Sequence, residues 1–90
     1  MSIDHERAVT EARLRGDQNE LKQIEVRADA LISDIRAKVD PYADSVDELD
    51  MEAVLLLVEA LAKLKERAIF IKRKIKEFEA ALYGQRRSPY

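Results

Sequence analysis

From Val54 to Leu82, apolar side chains recur at Val54, Leu57, Leu61, Leu64, Ala68, Ile71, Ile75, Phe78 and Leu82. The spacing alternates three and four without a break, which is the seam pattern of a coiled coil held over four heptads. It predicts a helix over 47–83 whose stripe needs a second helix to cover it. Residues 3–39 can supply one. Their heptad positions are Ile3, Arg7, Thr10, Leu14, Asp17, Leu21, Ile24, Ala28, Leu31 and Ile35, and from Leu21 onward the seam is clean, widened by Ile32 and Val39. Before Leu14 it is poor, because Arg7 and Thr10 stand where apolar residues belong. Gly16 costs a helix interior about 1 kcal/mol relative to alanine, and Asp17-x-x-Glu20 has the form of a capping box that would start a fresh helix. The matched lengths of 3–39 and 47–83, each about 55 Å at 1.5 Å per residue, favour one continuous helix with a soft spot at Gly16.

Residues 40–46 form the predicted turn. Pro41 biases Asp40 away from helical backbone, so the first helix should stop near Val39. Ser45 or Asp47 can cap the next helix, and Asp47, Glu48, Asp50 and Glu52 suit its N-terminal dipole. Gly84 falls just past Tyr83 as a helix stop, leaving residues 84–90 as a short basic tail. An antiparallel register that sets Leu14 against Ile71, Leu21 against Leu64 and Leu31 against Val54 satisfies both seams and puts the turn at Tyr42-Ala43. The expected fold is all-α: a long antiparallel helical hairpin, assembling as a helical bundle. In that register Asp17 faces Ala68, a polar layer that should reach sideways to Arg67 or Lys65 and fix the register rather than meet a ligand.

The second helix carries more apolar surface than one neighbour can cover. Leu55, Leu56, Val58, Ala62, Ile69 and Phe70 lie off the seam, and a helix that is apolar nearly all round is buried on several sides. These six residues are the candidate interface, first with another copy of the chain and otherwise with a different protein.

Charge adds polarity to this picture. The net charge is −2, yet residues 1–61 hold 15 acids against 7 bases, and residues 62–90 hold 3 acids against 9 bases. Lys72, Arg73, Lys74 and Lys76, with Arg86 and Arg87 beyond them, form a candidate contact for an anion or nucleic acid. Glu66, Glu77 and Glu79 dilute that patch, and aromatic residues beside it are few. The acidic turn does not match a calcium loop, since no Asp-x-Asp-x-Asp-Gly run with a closing Glu is present. His5 is the only histidine and there is no cysteine, so neither a catalytic constellation nor a metal-ligand or cofactor signature emerges. No apolar run is long enough for a bilayer and no leader pattern opens the chain, so a soluble cytoplasmic protein is expected. The function expected from these residues is that of a small oligomeric protein-interaction or assembly module without catalysis. The alternative is a nucleic-acid-binding helical dimer.

Overall fold

A computed structural model describes residues 3–40 and 45–83 of the chain. Helix α1 spans Ile3–Lys38 and helix α2 spans Met51–Tyr83, with a single 3₁₀ turn at Val46–Glu48 between them. The two long helices pack against each other as a hairpin, and the described residues contain no strand. Pro41 and Tyr42, placed at the turn by the sequence, lie outside the described residues, as do Gly84 and the basic tail.

Helix α1 runs through Gly16 without a break. A methyl group built on Gly16 would meet nothing within 4 Å, so the glycine marks no close approach of a neighbour. Asp17 therefore sits inside the helix and caps nothing. The ends suit the helix dipole, with Asp4 and Glu6 in the first turn and Arg36 and Lys38 in the last. Thr10, poorly suited to a seam, donates its hydroxyl to the carbonyl of Glu6 at 3.0 Å, which satisfies its polar group within the helix.

The start of α2 differs from the sequence expectation in a way that matters for packing. Ser45 only opens the 3₁₀ turn, where the N–H of Glu48 bonds the Ser45 carbonyl at 2.9 Å, and its side chain caps nothing. The cap of α2 is Asp50, whose Oδ1 accepts the N–H of Ala53 at 3.1 Å while its carbonyl takes the N–H of Val54 at 3.1 Å. The second helix thus begins at Met51 rather than residue 47, and the connection is longer than the sequence suggested.

A longer connection moves the pairing. The register read from the seams puts Arg7 near Phe78, Asp17 near Ala68 and Glu20 near Lys65. In the structure Arg7 stacks on Tyr83, Asp17 pairs with Lys74 and Glu20 pairs with Arg67, each further along α2. Seam positions still face one another, because sliding two heptad stripes keeps both stripes in the interface. The residues inside are all seam residues: Leu14, Ile24, Val54, Ile71 and Leu82, with Asp17 among them. Leu21, Ala28, Leu31, Ile35, Leu57, Leu61, Leu64, Ala68, Ile75 and Phe78 are half-buried. Among the described residues Ile71 is the one wholly enclosed, at 0% exposure. One partner helix covers this core thinly.

Candidate interaction surface

Helical geometry sets the outer face of α2. Steps of three and four from Leu55 pass through Val58, Ala62, Lys65 and Ile69, about a third of a turn away from the Val54–Leu82 seam. With the seam turned to α1, these side chains point away from the hairpin. Leu55 is 58% exposed, Val58 45% and Ile69 49%. Ala62 is exposed between them. Leu56 and Phe70, at 67% and 46%, flank the same face, and Met51 extends it by one turn at 49%. All six residues singled out in the sequence as a candidate interface therefore lie at the surface of the hairpin.

Phe70 is tied to the edge of the helix pair. The guanidinium of Arg67 lies 5.2 Å from its ring centre and the ammonium of Lys74 lies 5.4 Å away. Both cations also reach across to α1. Arg67 makes a forked pair with Glu20, its Nε at 2.7 Å and its second nitrogen at 3.1 Å from the two carboxylate oxygens. These hydrogen bonds hold the Glu20 carboxyl below its ordinary value and raise the Arg67 guanidinium further. Lys74 Nζ stands 3.4 Å from Asp17 Oδ1, while the other carboxylate oxygen, Oδ2, is buried without a hydrogen-bond partner. Asp17 thus meets Lys74 rather than Arg67 or Lys65. The displaced register is the reason, since it carries Lys74 level with Asp17 and gives Arg67 to Glu20.

This arrangement divides the basic run. Lys74 is half-buried and committed to Asp17 and Phe70. Lys72, Arg73 and Lys76 remain exposed and line one open cleft with Ile69, so three cations edge the end of the apolar stripe. Arg86 and Arg87 lie outside the described residues. At the other end, Asp47, Glu48 and Glu52 are exposed, and Asp50 is occupied as the helix cap. Among the described residues no group of acidic or histidine side chains is gathered as for a metal ion. No helix among these residues is long and apolar enough to cross a membrane.

No family model, curated protein or solved structure matches this chain. The surface must be understood from its own chemistry: an apolar stripe on α2, acidic at one end and basic at the other. The sequence pointed to the stripe but not to the two cross-helix ion pairs. Their signal lay in the register, which is obtained only once Asp50 rather than Ser45 or Asp47 is recognised as the cap.

Proposed function

We propose that this chain is a homo-oligomeric protein-interaction module, an adaptor- or scaffold-like helical hairpin that works through the outer face of α2 and carries out no chemistry of its own. The observation that carries this reading is the imbalance between the two faces of α2. Leu55, Leu56, Val58, Ile69 and Phe70 stand exposed at 45–67%, whereas five apolar side chains are buried among the described residues. Complete burial of a large apolar side chain is worth roughly 1.5–3 kcal/mol, so covering these half-exposed side chains would contribute on the order of several kcal/mol to association. Sedimentation velocity tests this directly. The chain is expected to run as a dimer or larger at micromolar concentration, and Leu55→Ser with Ile69→Ser is expected to run as a helical monomer. A wild-type chain that stays monomeric at high concentration overturns the reading.

A second reading rests on Lys72, Arg73 and Lys76, which surround one cleft and are held by no ion pair among the described residues. Three such cations suit a phosphate backbone. Binding of this kind weakens steeply with added salt, while an apolar helix contact hardly responds. If Lys72→Glu with Lys76→Glu leaves oligonucleotide affinity at low salt unchanged, nucleic acid is not the partner.

A further inference from the structure

The stripe on α2 has an internal symmetry that specifies its occupant. Its strongest apolar positions are symmetric about Ala62, with Leu55 seven residues before it and Ile69 seven residues after, while Val58 and Met51 have Glu66 and Arg73 as their images; small Ala62 is itself exposed. Charge follows the same centre with opposite sign. Residues 47–62 carry five acids and no base, whereas residues 63–76 carry seven bases and one acid, Glu66. Two copies laid parallel would set Lys72 beside Lys72 and Glu52 beside Glu52, and like charges so placed are repulsive. Two copies laid antiparallel bring Glu52 and the acidic 3₁₀ turn of each onto the basic end of the other.

We infer that the face of α2 is covered by the α2 of a second copy, antiparallel and two-fold symmetric, with Ala62 at the axis. This rests on the interaction-face reading above and adds an occupant and an orientation to it. In this arrangement Leu55 packs against the partner's Ile69 and Ile69 against the partner's Leu55. Ala62 meets Ala62 and lets the helix backbones approach closely. Glu52 lies on the same edge and at nearly the same height as the partner's Arg73, at the cleft formed by Ile69, Lys72, Arg73 and Lys76. A self-complementary patch of this kind closes the assembly at that face and does not propagate into a filament. Area agrees with the need for such a partner. The hairpin exposes 7383 Å², while a compact folded chain of its 10.3 kDa exposes about 5,400 Å². The excess, roughly 2,000 Å² per chain, exceeds the roughly 800 Å² that each partner of a standard specific dimer buries, so the hairpin has surface to spare for such a contact.

The chain has no cysteine, so a single introduced thiol reports its neighbour without ambiguity. Ala62→Cys is expected to form a disulfide-linked dimer under mild oxidation about tenfold faster, or more, than Asp29→Cys on the exposed side of α1, because preassociation raises the effective thiol concentration. Leu55→Cys should link slowly to itself and quickly to Ile69→Cys when the two variants are mixed. Arg73→Glu should weaken dimerisation on the order of tenfold, since symmetry repeats the repulsion at both ends, and adding Glu52→Lys should restore it. Faster self-linking of Leu55→Cys than of Ala62→Cys overturns the antiparallel pair, while sedimentation as a dimer would leave the assembly reading standing. A monomer by sedimentation removes both. Should the cysteine variants fail to assemble, the Arg73 and Glu52 charge exchange decides alone.

Discussion

Asp17 is the least comfortable side chain in the hairpin. It is buried, one oxygen has no partner, and the other is answered by Lys74 from 3.4 Å. Enclosed carboxylates lose hydration that a single ion pair restores only in part, and apolar replacements of similar size often stabilise. Asp17→Leu combined with Lys74→Met is therefore expected to raise unfolding stability by about 1–3 kcal/mol in urea titrations. Lys74→Met alone, which leaves the carboxylate unanswered, should lower it by about 1–2 kcal/mol. Equal effects of the two variants would contradict the coupling. The burial of Asp17 was legible in the sequence, since heptad spacing puts it on the seam whatever the register. Its partner was not, because a partner depends on where α2 begins. Glu20 and Arg67 form the more exposed pair, and here pH gives the test. Hydrogen bonds from Arg67 lower the Glu20 carboxyl from its ordinary 4.5, so the pair stabilises the fold above that value. This contribution is lost as pH falls through the lower, folded value. The difference in melting temperature between the wild type and Glu20→Gln should be present near neutral pH and close on acidification below 4.5. Added salt should shrink it as well.

Elements show a similar division between what periodicity reveals and what local chemistry decides. Both helices, their approximate ends and the seam between them follow from three-four spacing, which burial on one face requires. The start of α2 hinged on which of several acids capped it. Ser45, Asp47 and Asp50 are all competent caps, and only the backbone path distinguishes them. Once Asp50 is the cap, the connection lengthens and the pairing slides with it. Gly16 illustrates the converse. It weakens α1 locally, but the seam residues on both sides, Leu14 and Ile24, are buried and carry the helix across. With open space around its Cα, Gly16→Ala should stabilise the hairpin by about 1 kcal/mol in chemical denaturation. A destabilising result would mean that the backbone at Gly16 leaves helical geometry in solution.

At the scale of the molecule, a pair of long rods encloses little. The core is one row of residues deep, and the surface stays well above that of a compact chain of equal mass. Stability that depends on a second copy should rise with concentration, because association draws the folded state forward. Melting followed by circular dichroism should therefore shift upward by several degrees over a hundredfold increase in protein, about 2.7 kcal/mol of linkage at most. For Leu55→Ser with Ile69→Ser the midpoint should be flat. A flat midpoint for the wild type would place all of its stability inside the single hairpin.

The distance between the acidic end of α2 and its basic end has one more consequence. Glu52 and Lys76 are separated by about 36 Å of helix at 1.5 Å per residue, so an isolated hairpin is a strong electric dipole that swings into line with an applied field. Two hairpins lying head to foot cancel that moment along the rod axis. Electric birefringence in dilute buffer should accordingly fade as subunits pair, turning molecular orientation into a readout of how they lie together.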